Sequence, residues 1–148
     1  MKKIIAAVFT GMAMIGAVYA QKMPKNSATY DTQIMRVTDG DTIVIAAPYL
    51  PAPLKPELAV RIYGVDTPEK GHRAQCASEN QRGQAATEYT KNAVASAKKI
   101  QVVLYRWGKF GGRVLGDILL DDRSHRAELI ERGFAREYYG DAKQSWCE

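Results

Sequence analysis

The chain has 148 residues, with 21 lysines and arginines against 16 aspartates and glutamates, two cysteines and two histidines, for a formal charge of +5. Such a length suits one compact domain with a real core, and the modest positive excess is compatible with a polyanionic partner without requiring one. His72 and His125 have no dense ligand spacing, so zinc and copper, which favour nitrogen and sulfur, are poor candidates.

Met1-Lys2-Lys3 forms a positive n-region, Ile4 to Val18 an apolar stretch with small residues, and Val18-Tyr19-Ala20 a cleavage site of the A-x-A type. The run is short for a membrane span and is broken by Thr10, Gly11 and Gly16. A secretory signal peptide over 1–20 is therefore expected, giving an exported protein, periplasmic or secreted, that keeps no stable membrane association. Cleavage after Ala20 leaves 128 of the 148 residues, with 19 basic against 16 acidic side chains once Lys2 and Lys3 are gone. A lead-in over 21–33 then precedes a single domain over 34–148.

Strands are expected over Ile34 to Val37 and Thr42 to Ala46, with Asp39-Gly40 as the turn between them. The stretch 47–58 holds four prolines and reads as a loop. Ala59 to Val65 resumes a strand, and Ser78-Glu79-Asn80-Gln81 resembles a capping box opening a helix with Ala86, Tyr89, Ala93 and Ala97 at helical spacing. Strands follow over Ile100 to Tyr105 and Val114 to Leu120, then a helix over Ser124 to Arg132 that Gly133 stops. No internal repeat is visible.

Two phrases carry chemistry: Asp39-Gly40-Asp41-Thr42 and Arg61-Ile62-Tyr63-Gly64-Val65-Asp66-Thr67-Pro68-Glu69. Asp41 and Asp66 offer carboxylates from two chain segments, an oxygen donor set for a hard cation such as Ca²⁺. Arg61 adds a planar fork for phosphate oxygens, and Glu69 a carboxylate to orient or deprotonate water. Either Arg61 or Arg113 alone reads as surface charge; their joint occurrence with the carboxylates favours phosphodiester hydrolysis. On a straight strand Arg61 and Asp66 would point to opposite faces, so a break at Gly64 is expected. Cys76 and Cys147, an even pair in an exported chain, are expected to form a disulfide.

These strings resemble the thermonuclease, or staphylococcal-nuclease-like, family, whose signatures are Asp-Gly-Asp-Thr and Arg-(x)₄-Asp-Thr-Pro-Glu. A third family element, Lys-Tyr-Gly-Arg before an apolar strand, is echoed by Lys109-Phe110-Gly111-Gly112-Arg113 with one extra glycine and phenylalanine for tyrosine. The resemblance runs from about Ile34 to about Tyr139. It implies an α+β, mainly β, oligonucleotide/oligosaccharide-binding fold: a five-stranded, partly open barrel with two to three helices. It further implies Asp41, Asp66 and the Thr67 backbone carbonyl as Ca²⁺ ligands, Glu69 positioning the attacking water, and Arg61 with Arg113 clamping the phosphate. Lys109 and Phe110 match nucleotide-contacting positions, and Tyr138 and Tyr139 are candidates to stack on bases. The implied activity is calcium-dependent cleavage of the 5′-oxygen–phosphorus bond in single-stranded or frayed DNA and RNA, by a monomer. The competing reading is a binding module on the same barrel that has lost its chemistry.

Overall fold

The computed structural model describes Pro24 and residues 27–147. The expected signal peptide lies outside the described residues, and among them no helix is long and apolar enough to cross a membrane. In chain order the strands β1 (Ala28–Asp31), β2 (Ile34–Asp39), β3 (Thr42–Ala46), β4 (Glu57–Ile62) and β5 (Val65–Asp66) precede a 3₁₀ turn (Gly71–Arg73). Helix α1 (Ala77–Ser96), β6 (Ile100–Trp107), β7 (Arg113–Leu120), β8 (Arg123–Ser124), α2 (His125–Glu131) and β9 (Arg136–Glu137) follow.

The class is α+β, mainly strands with two α-helices among the described residues. Seven strands form one mixed sheet in the order β1-β6-β7-β4-β3-β2, with β8 added to β7, while β5 and β9 form a separate antiparallel pair. The sheet order runs as an open path, so no closed barrel is formed among the described residues. The β2-β3-β4 meander is antiparallel, and a parallel β4–β7 pair joins it to the antiparallel β6–β7 ladder.

Alternation along these strands decides which face becomes the core. Ile43, Ile45, Val60, Ile62, Val102, Ile118 and Leu120 turn to one face, where Leu129 of α2 and Ala135 close over them. Each fully buried side chain of this size contributes about 1.5–3 kcal/mol. Tyr89, Ala93 and Val94 of α1 pack partly buried against the same cluster.

Several elements differ from expectation, among them strands β2 and β6, which run on to Asp39 and Trp107, and β4, which ends at Ile62. Strand β4 starts at Glu57, inside the proline-rich stretch, because Glu57 pairs with Ala46 and its carboxylate holds Arg36 of β2 through two hydrogen bonds. The helix starts two residues early: Cys76 is its N-cap, with Sγ accepting from Glu79 N, and the Glu79 carboxylate accepts from the Gln75 and Glu69 amides. Strand β1 has no counterpart in the sequence reading, since its four residues are all exposed and show no alternation of burial. The helix α2 agrees with expectation: Ser124 caps it, and Gly133 beyond its end takes φ +75°.

Candidate active site

The Arg61–Glu69 segment is shaped by its glycine. Strand β4 ends at Ile62, Tyr63 and Gly64 form a turn, and Gly64 sits at φ +74°, a backbone region that L side chains rarely adopt. A Cβ there would also stand 2.8 Å from Cε1 of Tyr139, so space and backbone angle both require glycine. The expected break at Gly64 is therefore present. Arg61 now reaches past it: Nη1 donates to Asp41 Oδ2 at 2.6 Å and Nη2 to the Val65 carbonyl at 3.2 Å, linking the two acidic phrases.

Asp41, Asp66 and Thr67 are all buried, at 3, 5 and 5% exposure. Asp41 Oδ1 accepts from the Thr42 hydroxyl, so both its oxygens are engaged. Asp66 Oδ2 accepts from the Trp146 indole at 3.0 Å. Its Oδ1 is buried, makes no hydrogen bond of normal geometry, and meets the Lys143 ammonium at 2.6 Å as an ion pair. Partial burial works against the charge on Lys143, but Asp66 and Glu69 outweigh that effect and its pKa is raised. Glu69 is part-exposed, with Oε2 3.2 Å from Arg73 and Oε1 3.9 Å from Lys143.

Helix α1 holds both phrases in place through its small residues. A Cβ on Gly83 would stand 2.3 Å from the Glu69 carbonyl oxygen, so the helix lies directly on the Pro68–Glu69 backbone. A Cβ on Gly40 would stand 2.8 Å from that of Ala86 in the helix, and Thr90 donates to the Gly40 carbonyl at 2.8 Å. Asp39 fastens the outer edge: Arg73 Nη2 meets it at 2.8 Å, and Lys70, 3.6 Å away, also donates to the Thr38 carbonyl. The hydrogen bond to Asp39 raises the pKa of Arg73 and keeps it charged. Asp39 thus acts as a brace beside the turn.

Arg113 opens β7 opposite Ala59, which lies two residues before Arg61 on β4. Arg61 and Arg113 therefore share one face as diagonal neighbours, within reach of long side chains. The Arg113 guanidinium is half-buried and has no hydrogen bond or ion pair among the described residues. The extra glycine is absorbed in the loop before it, where Gly112 takes φ +83° and Gly108 N donates to the Arg113 carbonyl. Lys109 and Phe110 sit exposed in that loop, away from the carboxylates' own contacts; Phe110 is 76% exposed and Trp107 beside it 66%.

The two tyrosines differ. Tyr139 is half-buried and packs edge-on to Tyr63, and its hydroxyl accepts from Arg126 at 2.6 Å; burial raises its pKa. Tyr138 is half-buried, with Lys143 5.7 Å from its ring centroid. The expected bridge between Cys76 and Cys147 is present. Those two residues converge with Glu79, but their sulfurs are spent in the disulfide and leave no thiolate for a metal.

Sequence reasoning missed Lys143 and Trp146, the two partners of Asp66. A signal existed for Trp146, because a bridge to Cys147 brings its neighbour to the segment after Glu69.

The chain is 32% identical to "Endonuclease YhcR" of Bacillus subtilis (strain 168) over 121 residues, 78% of this chain and 10% of the relative. It thus spans about a tenth of the length of the curated relative it matches. A family model described as staphylococcal nuclease homologue matches residues 59–146, a stretch that includes Arg61, Asp66, Glu69, Arg113 and both partners of Asp66. The chain, with its two acidic phrases held against one helix, belongs to the staphylococcal nuclease homologue family.

Proposed function

We propose that this protein is an exported, calcium-dependent nuclease that hydrolyses phosphodiester bonds in DNA and RNA. The observation that carries the reading is Asp66 Oδ1, a buried carboxylate oxygen whose close partner among the described residues is a cation, the Lys143 ammonium, and not a backbone or neutral donor. A site of oxygen donors with such an atom fits a hard divalent ion. Asp41, Asp66 and the Thr67 carbonyl would hold it, and when bound it supplies positive charge beside a phosphate oxygen.

The chain's own groups account for the remaining chemistry. Glu69 orients a water for in-line attack and takes its proton on a carboxylate oxygen as the new phosphorus–oxygen bond forms. The bond from phosphorus to the 5′-oxygen breaks, and that oxygen leaves with a proton drawn from solvent. Arg113, with no hydrogen bond or ion pair among the described residues, takes two phosphate oxygens through its fork. Arg61 joins it by releasing Asp41, its present partner. The half-buried Tyr138 and the exposed Phe110 and Lys109 offer stacking and charge to an unpaired strand, which favours single-stranded or frayed substrate. The β2-β3-β4 meander with its parallel β4–β7 pair supports an oligonucleotide/oligosaccharide-binding architecture over 34–148.

The test is digestion of single-stranded DNA and RNA by the protein from Gln21 onward, with Ca²⁺, with a chelator, and with a folded Glu69→Ala variant. Cleavage that needs Ca²⁺ and falls at least about 100-fold in the variant is expected. Binding without cleavage would replace the enzyme by a binding module.

A further inference from the structure

The residues that cover Asp66 come from the far end of the chain. Residues 140–147 contain no helix or strand, yet the segment is fastened at several points. Arg136 Nη1 donates to the Ser145 carbonyl at 2.8 Å, and its guanidinium lies 3.8 Å from the centroid of the Trp146 ring. The Trp146 indole holds Asp66 Oδ2, and Cys147 is bonded to Cys76 at the start of α1. Lys143, three residues before Trp146, is delivered by this fastening to Asp66 Oδ1 at 2.6 Å and Glu69 Oε1 at 3.9 Å.

Its ammonium therefore stands between the two carboxylates that the nuclease reading assigns to cation binding and to water. The contact is not a packed, permanent one. The Lys143 side chain is 48% exposed, whereas that of Asp66 is only 7% exposed. A cavity of about 390 Å³, lined by Asp66, Thr67, Glu69, Arg73 and Lys143 among others, adjoins the pair. The lysine can step aside into solvent at little cost; Asp66 cannot go anywhere. An uncompensated buried carboxylate is costly, so some cation is needed at Asp66 whether or not a metal is present.

We propose that Lys143 is a tethered counter-ion for Asp66 and Glu69, occupying the pair until a divalent cation displaces it and so setting the concentration at which the site loads. This rests on the cation site of the preceding reading and adds a competitor built into the same chain. Two consequences follow from simple competition. Removing the ammonium leaves the cation-free protein with an unpaired charge, and it lets the divalent ion bind without first displacing a rival.

The experiment follows melting temperature against Ca²⁺ concentration for the intact protein, Lys143→Met and Lys143→Arg, with Trp fluorescence reporting on Trp146 in parallel. Lys143→Met is expected to melt below the parent without cation, and to reach half-saturation at about fivefold lower Ca²⁺, the factor that a part-exposed ion pair represents. Lys143→Arg, which keeps the charge, should match the parent within about twofold on the same scale. Equal midpoints for parent and Lys143→Met would overturn the counter-ion role while leaving the cation site intact. A midpoint for Lys143→Arg shifted as far as that for Lys143→Met would overturn it too, since shape and not charge would be at work. No response to Ca²⁺ in any of the three proteins would remove the cation site and the competitor with it.

Discussion

His125 has its ring completely buried, stacked on Tyr89 with 7° between the planes. Thr90 spends its proton on the Gly40 carbonyl, so at the 3.0 Å contact with His125 its oxygen accepts and Nε2 carries the hydrogen. Nδ1 is then a bare acceptor with no partner among the described residues, and protonating it would create a buried, unpaired N–H. Burial accordingly lowers the pKa of His125 from 6.5 to about 4. The unfolded chain binds this proton more readily, so the stabilising contribution is complete above pH 6.5 and is lost as pH falls towards 4. Unfolding free energy from urea titrations should drop by about 2 kcal/mol between pH 7 and pH 5, above the range in which ordinary carboxylates titrate. A flat profile over that interval would mean that the ring is charged or solvated in the native state.

At the scale of elements, α1 is the part that assembles the site, and it does so by what it lacks. Glycine inside a helix is normally a weak point, and replacing it by alanine in a solvent-facing position improves stability by about 1 kcal/mol. Gly83 reverses that rule, because an added methyl would collide with the backbone of Glu69. Gly83→Ala should lower stability by roughly 1–3 kcal/mol, the usual cost of overpacking, and reduce cleavage by displacing Glu69. Thermal melts and a single-strand digestion on the same preparation check both; a variant more stable than the parent would show that the helix does not bear on that loop.

The same helix marks how far sequence reasoning reaches. Asp41, Arg61, Asp66 and Glu69 stood out because they fall in two short phrases, which the structure brings together, and the bend at Gly64 followed from strand alternation. The small face of α1 was half legible: Ala86 stood out by spacing, whereas Gly83 and Thr90 answer to backbone atoms of distant loops, which no periodicity encodes. The helix start was displaced because a cysteine, not a serine, caps it. Strand β1 escaped because an edge strand with four exposed residues obeys pairing to β6 and not burial. Lys143 lies in a polar stretch without helix or strand, and what gives it meaning is its position beside Asp66, 77 residues earlier by number.

For the whole molecule, the Cys76–Cys147 bridge closes a covalent loop with a sequence separation of 71. In the chain-entropy description a loop of that size stabilises the native state by roughly 4 kcal/mol. Urea midpoints measured with and without reductant should separate accordingly, at similar m-values; coincident curves would show that the tail is held by its other contacts alone. The bridge matters to the site as well as to stability, since α1 and the tail are the two bodies between which Asp66 and Glu69 sit.

Asp66 and Trp146 are 80 positions apart, and they meet through one hydrogen bond. A ribosome delivers the acidic phrases, the helix and both arginines well before it delivers the indole. A fragment ending after Arg113 but before Lys143 therefore carries the acidic phrases and both arginines yet leaves Asp66 without Lys143 and Trp146, so the pocket reaches its finished form only once residues 143–147 have emerged and turned back.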